Sequence, residues 1–226
     1  MALLKKTVVA ILILGAAAGM ALISYSFLTA ELAQRGTILR EGSGVFWDAD
    51  RPPRAWEEAP RLGYLAPEIA LVDLRGERIS LRGLRGRPVL LNFWASWCPP
   101  CRAEIPALQE FYERYRGDVA VVGVNWSESP EEVRAFLERF GVGYPNLLDR
   151  QGKAFVAYRL TGVPTTFFLD EQGLIRGVWF GPLGSPEEIA AGFARIAANF
   201  PPEGRPNPNP NPKPNPNPEL NPEPKP

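Results

Sequence analysis

A closely spaced pair of cysteines between a buried strand and a helix limits the possible folds of this chain more than any other feature. Cys98 and Cys101 are its only cysteines, and they stand in the motif Trp97-Cys98-Pro99-Pro100-Cys101. The preceding run, Val89–Trp94, is almost continuously apolar, as in a central strand that is covered on both faces. Pro99 suits the first turn of a helix, and apolar residues at helical spacing follow it. The sequence therefore predicts a strand, a cysteine-bearing turn and a helix in direct succession.

The rest of the segment from about Leu62 to Phe200 alternates β-like runs with amphipathic segments, which predicts an α/β sheet covered by helices. Two helix starts, at Ser129 and Ser185, carry the same Ser-Pro-Glu-Glu pattern. In this pattern serine caps the helix, proline takes its first position and the second glutamate completes a capping box. The expected strands are Ile69–Leu74 with Arg78–Leu81, Val119–Val124, and Thr165–Leu169 with Leu174–Phe180.

An uncharged stretch of roughly two dozen residues, Thr7–Ala30, follows Lys5 and Lys6 and is long enough to cross a bilayer as a helix. We interpret residues 7–30 as a transmembrane signal-anchor helix, because the apolar run is longer than that of an ordinary signal peptide; the alternative is cleavage after Leu28-Thr29-Ala30. The two lysines place residues 1–6 in the cytoplasm and everything after Ala30 outside it. The prediction is a single-pass protein of the cytoplasmic membrane whose main domain lies on the extracytoplasmic, periplasmic side.

Composition separates three further regions. Residues 31–61 mix glycine, proline and charges without a sustained period, and they are predicted to be an extracytoplasmic tether. Residues 62–200 form the predicted α/β domain. Residues 201–226 are largely Asn-Pro repeats, which cannot form a hydrogen-bonded ladder, and we expect an extended, disordered tail that acts as a spacer.

The charge balance and the absence of histidine argue against several classes of function. Lysine plus arginine equals aspartate plus glutamate at 25 each, so the overall charge gives no sign of a nucleic-acid partner. Histidine is absent, which removes the usual general base and most designs of metal site. The cysteine pair is therefore the expected centre of chemistry, without a cofactor and without a metal ion.

A bare Cys-X-X-Cys motif serves zinc sites, structural disulfides and redox centres. Tetrahedral zinc needs about four ligands, and the chain has no second cysteine pair to supply them. A structural bridge that closes about four residues contributes only ~2 kcal/mol in the loop-entropy estimate, which disfavours that use. A redox role has a mechanism, because a helix N-terminus lowers the pKa of the Cys98 thiol. Cys98 then attacks a substrate disulfide, and Cys101 resolves the mixed disulfide.

The chain resembles the membrane-anchored thioredoxin-like proteins of the TlpA, ResA and CcmG type. The resemblance spans about residues 66–200 and rests on NFWASWCPPCRAEIPAL from Asn92, VVGVNWSESPEEVRAFLERFGVGYPNLLD from Val121 and GVPTTFFLDEQGLIRG from Gly162. It implies a thioredoxin-like α/β fold, in which helices flank a central mixed sheet and the core is extended by an N-terminal hairpin and a helix–strand insertion within Asn125–Asp149. It also implies the activity of a thiol:disulfide oxidoreductase.

The same resemblance implies roles for residues around the cysteines. Pro164 is expected to follow a cis peptide bond and to face the pair, although a bare X-Pro sequence favours trans. Ordinary thioredoxin has a buried aspartate at the position that Asn92 occupies here. Asn92 cannot accept a proton as that aspartate does. ResA-like proteins have an acid close to the cysteine pair, and it matches Glu104. Without the resemblance, a solvated surface glutamate would be the preferred interpretation of Glu104. The predicted catalytic residues are Cys98, Cys101, Glu104 and Pro164, and the predicted substrate contacts are Trp97, Pro99, Pro100, Val163 and Thr165.

The function expected from the resemblance is extracytoplasmic reduction of disulfides in partner proteins. The expected substrate is apocytochrome c during cytochrome c maturation, or a copper-site assembly partner, and a membrane dithiol carrier of the CcdA or DsbD type would supply electrons. A chaperone-like binding module without turnover and a net disulfide oxidase stay open, because the motif alone does not set the direction of electron flow. A thiol peroxidase is disfavoured, because the cysteines occupy the position of the thioredoxin pair.

Overall fold

The computed structural model describes residues 38–41, 44–47 and 54–196. Its strands are β1 (Ile38–Glu41), β2 (Gly44–Trp47), β3 (Arg54–Glu58), β4 (Tyr64–Leu65), β5 (Ala70–Val72), β6 (Arg78–Ser80), β7 (Val89–Trp94), β8 (Ala120–Trp126), β9 (Asn146–Asp149), β10 (Thr165–Leu169) and β11 (Ile175–Phe180). Its helices are α1 (Pro99–Tyr115), α2 (Pro130–Phe140), α3 (Lys153–Ala157) and α4 (Pro186–Ala194), with a 3-10 turn at Leu81–Leu84. The predicted membrane anchor and tail lie outside these ranges. Within the ranges, no helix has the length and apolar character needed to cross a bilayer.

Strand β7 is an interior strand, between β10 and β8, of a seven-stranded mixed sheet in the order β1-β2-β11-β10-β7-β8-β9. β7, β8 and β9 are parallel, whereas β10 is antiparallel to both β7 and β11. All six residues of β7 are buried, in agreement with its nearly continuous apolar run. The predicted hairpin is formed by β5 and β6, and the predicted helix–strand insertion is formed by α2 and β9.

Alternate residues of the central strands supply a core on each face of the sheet. On one face, Leu91 and Phe93 pack with side chains of β8, β10 and α3. On the other face, Leu90 packs with α1 and α4, where the rings of Phe111 and Phe193 stack with 5.7 Å between their centroids. A third cluster joins both cysteines to Trp94 and to the buried side of α2. The cysteine-bearing turn therefore rests on apolar packing from the sheet and from α2.

Both predicted serine caps are present. Ser129 Oγ accepts the backbone N–H of Glu132 at 3.2 Å, and the Glu132 carboxylate accepts the backbone N–H of Ser129 at 2.9 Å, which completes the capping box of α2. Ser185 Oγ likewise accepts the N–H of Glu188 at 3.1 Å. The Glu188 carboxylate, however, accepts the N–H of Gly184 at 2.7 Å, one residue earlier than in a standard box. Caps of this kind stabilise a helix by about 1 kcal/mol each.

Two short strands before residue 62 join the sheet. β2 pairs antiparallel with β11, and β1 pairs antiparallel with β2. The edge of β11 is therefore covered by residues of the segment predicted as a tether, which protects its backbone groups from unwanted pairing. Strands of four residues are too short to display a reliable two-residue period, so the sequence pattern did not predict them.

Candidate active site

The two cysteines form a disulfide at the start of α1, with 5.3 Å between their Cα atoms. Cys98 is the N-cap residue of the helix, and its Sγ accepts the backbone N–H of Cys101 at 3.2 Å. Pro99 and Pro100 take the first helical positions and are exposed. Because prolines have no N–H, the Cys101 amide is the first of the helix that can reach the sulfur. This arrangement supports negative charge on Cys98 once the disulfide is reduced.

The Val163–Pro164 peptide bond lies against the cysteine pair and is cis, as expected. The carbonyl oxygen of Val163 is 3.5 Å from Cys98 Sγ, where a reduced thiol can donate a weak hydrogen bond. Val163 is partly exposed, whereas Pro164 is buried. Thr165 is only 4% exposed, and its hydroxyl donates to the Gly162 carbonyl at 3.0 Å. Thr165 therefore shapes the loop with its side chain, and its burial gives that side chain little access to a substrate.

Glu104 lies one helical turn after Cys101 and is 1% exposed. One carboxylate oxygen accepts the side-chain amide of Asn92 at 2.9 Å, and the other accepts the backbone N–H of Leu183 at 3.1 Å. The same amide nitrogen of Asn92 donates to Thr166 Oγ1 at 2.9 Å. Because Glu104 is buried, the interpretation of this residue as a solvated surface glutamate is excluded. Its carboxyl instead lies beside the strand position that the resemblance connects with the aspartate of thioredoxin.

Burial is the main influence on the ionisation of Glu104. Removal from water raises the pKa of its carboxyl from 4.5 to about 7, while the hydrogen bonds from Asn92 and Leu183 oppose that rise. The pKa of Tyr144 is also raised, mainly by burial and to a smaller extent by the nearby charge of Glu104. A carboxyl that titrates near neutral pH can both accept and return a proton. Glu104 therefore has the property that a resolving thiol needs in its neighbour.

Glu128 holds the turn that carries the cysteines, and the sequence pattern did not single it out. Its carboxylate accepts the backbone N–H of Ser96 at 2.7 Å and the side-chain amide of Asn125 at 2.6 Å, and the Ser96 hydroxyl also donates to it. Ser127, immediately before it, has a φ of +61°, a left-handed conformation that is uncommon for serine. Because β7 and β8 are parallel, their carboxyl ends lie at the same edge of the sheet. Glu128 follows β8 and the cysteine turn follows β7, so this rule would have predicted that the two lie close together.

The two tryptophans near the cysteines have different environments. Trp97 is 59% exposed beside Cys98, whereas Trp94 is 2% exposed and donates its indole N–H to Asn146 Oδ1 at 2.8 Å. Their exposure agrees with the interpretation that Trp94 belongs to the packing of the strand and Trp97 to the site. Among the described residues, no three His, Cys, Asp or Glu side chains come close enough together to hold a metal ion.

Comparison with known proteins agrees with this geometry. The profile of the AhpC/TSA family matches residues 62–178. The thioredoxin-like protein YneN of Bacillus subtilis is 40% identical over 128 residues, which cover 55% of this chain and 75% of that protein. The thiol-disulfide oxidoreductase ResA of Geobacillus kaustophilus is 38% identical over 126 residues, which cover 55% of this chain and 72% of ResA.

Solved structures give the same fold. A Chlorobium tepidum protein, solved as a candidate thiol:disulfide interchange protein DsbE, is 28% identical with a TM-score of 0.53, over 57% of this chain and 94% of that chain. A thiol:disulfide interchange protein from Bacteroides sp. is 25% identical, also with a TM-score of 0.53, over 58% of this chain and 88% of that chain.

The fold and the disulfide at the helix N-terminus define a thioredoxin-like thiol:disulfide oxidoreductase, an enzyme whose substrates are disulfide-containing proteins. The chain belongs to the AhpC/TSA family. The predicted fold class and enzyme class are therefore confirmed. The structure brings Cys98, Cys101 and the Val163–Pro164 peptide together, with Trp97 next to Cys98 and Glu104 buried one helical turn after Cys101, while the individual roles of these residues stay predictions.

Proposed function

We propose that this chain reduces disulfides in partner proteins outside the cytoplasm, with the haem-attachment cysteines of apocytochrome c as the first candidate substrate. The observation that carries the proposal is the Cys98–Cys101 disulfide at the start of α1, where Cys98 Sγ accepts the backbone N–H of Cys101 and the buried Glu104 follows one turn later. Relatives named thiol-disulfide oxidoreductase ResA support the same class of function. A copper-site assembly protein is the alternative partner, and it would be reduced by the same residues.

The first chemical step forms a mixed disulfide. The Cys98 thiolate, stabilised by the backbone N–H of Cys101, attacks one sulfur of the substrate disulfide. The substrate S–S bond breaks, a new S–S bond joins Cys98 to the substrate, and the other substrate sulfur leaves as a thiolate that takes up a proton. Cys98 is 3% exposed and Cys101 is fully buried, so the substrate meets Cys98 first.

The second step releases the reduced substrate. The Cys101 thiol gives its proton to the Glu104 carboxylate, and the resulting thiolate attacks Cys98 Sγ. The mixed disulfide breaks, the Cys98–Cys101 disulfide forms, and the second substrate sulfur leaves as a thiolate. That thiolate is protonated while Glu104 gives up the proton it received. Two electrons have then passed from the cysteine pair to the substrate, together with one proton from Cys101 by way of Glu104 and one proton from the solvent.

The oxidised enzyme must be reduced again from the membrane. A dithiol carrier of the CcdA or DsbD type is the proposed donor, and it returns two electrons and two protons through the same exchange. We propose that residues 7–30 anchor the chain in the cytoplasmic membrane, with Lys5 and Lys6 on the cytoplasmic side. The anchor would keep the domain on the outer face, within reach of this carrier.

A membrane-impermeant maleimide, added to intact spheroplasts that contain the full chain and a membrane dithiol carrier, is expected to label the protein without prior reduction. The chain has only two cysteines, and Cys98 is the more exposed of them, so labelling reports both its side of the membrane and its oxidation state. Deletion of the carrier should make labelling depend on an added impermeant reductant. The doubly substituted variant Cys98→Ser, Cys101→Ser gives the background.

Three other results would contradict parts of the proposal. Labelling that always requires added reductant, with the carrier present, contradicts a reductase and favours a net oxidase. Labelling only after lysis contradicts the extracytoplasmic location. Recovery of the label on a shorter chain that is no longer in the membrane fraction contradicts the uncleaved anchor.

A further inference from the structure

Three aromatic side chains lead away from the reactive cysteine across the protein surface. Trp97 is 59% exposed, and its ring centroid lies 5.9 Å from that of Trp126. Trp126 in turn stacks on Phe155, with 4.1 Å between the centroids and 12° between the ring planes. Trp126 and Phe155 are both partly exposed. We call Trp97, Trp126 and Phe155 the aromatic platform.

The aromatic platform is held in place by its surroundings. Gly152, with a φ of +67°, lies against Trp126, and a Cβ at this position would be 3.4 Å from the indole nitrogen. The backbone N–H of Phe155 donates to the Asp149 carboxylate at 2.9 Å, which ties α3 to the end of β9. Glu128 fixes Ser96, the residue before Trp97. A preformed surface of this kind loses little conformational entropy when a ligand binds.

Disulfide exchange requires the substrate to cover this part of the surface. The substrate sulfur must contact Cys98 Sγ, so the substrate cysteine itself lies beside the neighbouring Trp97. An extended chain advances about 3.3 Å per residue. The steps of 5.9 and 4.1 Å between ring centroids therefore place a side chain two or three residues from the cysteine over Trp126 or Phe155. Glutathione, with one residue on each side of its cysteine, is too short to reach them.

We propose that the aromatic platform binds an aromatic or large aliphatic side chain of an extended polypeptide substrate, two or three residues from the reacting cysteine. The inference rests on the proposed function, because it requires a polypeptide disulfide as the substrate. Aromatic rings gain apolar contact area, and edge-to-face contacts, from such side chains. The preferred substrate is thus an unfolded or extended cysteine segment with an apolar neighbour.

Peptide disulfides that carry tryptophan or serine two or three residues before or after the cysteine test this with the full chain. Wild type, reduced with dithiothreitol and then freed of it, should reduce the best tryptophan peptide with a second-order rate constant about three- to ten-fold higher than that for its serine counterpart. Trp126→Ala and Phe155→Ala should each remove most of this preference and leave the reduction of glutathione disulfide unchanged. Phe140→Ala is the matched control, because Phe140 is also an exposed aromatic residue but lies at the far end of α2.

A further variant, Trp126→Leu, removes the aromatic ring but keeps an apolar side chain for packing. It should also lose the preference for tryptophan peptides. If it still reduces glutathione disulfide at the normal rate, this loss cannot be ascribed to misfolding. Absence of any preference in wild type, or a preference that survives in both the Trp126 and Phe155 variants, overturns the proposal. If the chain oxidises peptide dithiols and does not reduce their disulfides, the proposed function fails. In that case the preference for tryptophan peptides is measured in the oxidation of peptide dithiols, and it still shows whether the aromatic platform binds the substrate.

Discussion

Cys101→Ser is expected to convert the enzyme into a trap that accumulates mixed disulfides through Cys98 and no longer turns over. The attack by Cys98 is retained in this variant, because the Cys101 backbone N–H that supports its sulfur belongs to the main chain and is unaffected. The second attack is lost, since serine cannot displace a thiolate from a disulfide at a useful rate. Cys98→Ser should instead trap almost nothing, because the remaining thiol at position 101 is fully buried.

Mass spectrometry of adducts formed by the two variants with the same oxidised peptide measures this difference. The yield from Cys101→Ser should approach one peptide per chain, and the yield from Cys98→Ser should stay at background. Equal yields from both variants would contradict the assignment of Cys98 as the attacking group and Cys101 as the resolving group.

Glu104→Gln is expected to remove a large pH dependence of stability in the oxidised protein. The carboxyl has its ordinary pKa of 4.5 in the unfolded chain and a pKa of about 7 in the folded one. Between these values the folded state keeps a proton that the unfolded state has released, so the free energy of unfolding falls as the pH rises. The decrease levels off above the folded pKa and amounts to about 3 kcal/mol in total.

The same substitution should alter the reduced protein. A carboxyl beside a buried dithiol resists ionisation next to a thiolate, so Glu104 and the cysteines are expected to titrate together over a broad range. Urea unfolding of the oxidised full chain between about pH 4 and 8, and thiol alkylation of the reduced full chain between about pH 5 and 10, cover the two expected ranges.

Glu110→Gln is the control for general charge effects, because Glu110 is an exposed residue of the same helix that pairs with Arg114. It should leave both pH profiles unchanged. If the profiles of wild type and Glu104→Gln superimpose in unfolding and in alkylation, Glu104 has no part in proton transfer and the second step of the mechanism is wrong.

Elements with local signals were predictable from the sequence. The serine caps at Ser129 and Ser185 use hydrogen bonds that span only a few residues, so a short pattern is sufficient to identify them. β7 and the cysteine turn were equally clear, because a buried strand followed by Cys-Pro-Pro-Cys restricts the backbone strongly. The short helix α3 and strands β1 and β2 were missed, since each is too short to show a period.

Contacts between residues far apart in the chain could not be read from local patterns. The carboxyl of Glu104 accepts a hydrogen bond from the N–H of Leu183, 79 residues later, and burial by the surrounding helices decides its pKa. A helix-surface glutamate would have the same local sequence, so only the resemblance favoured the buried alternative. Glu128 and Ser96, separated by 32 residues, meet because β7 and β8 are parallel neighbours.

The reduction potential of the Cys98–Cys101 pair decides whether the protein is a reductase. A strong oxidant stabilises its dithiol form by lowering the pKa of the attacking thiol far below its usual value. A reductant requires the opposite balance, in which the disulfide form is the more stable one. Equilibration of the full chain with reduced and oxidised glutathione at about pH 7, followed by quantification of both forms, gives the potential. We predict a value of about −270 mV, in the range of reducing thioredoxins, whereas a value near about −120 mV, in the range of DsbA, would contradict the proposed reduction of partner disulfides.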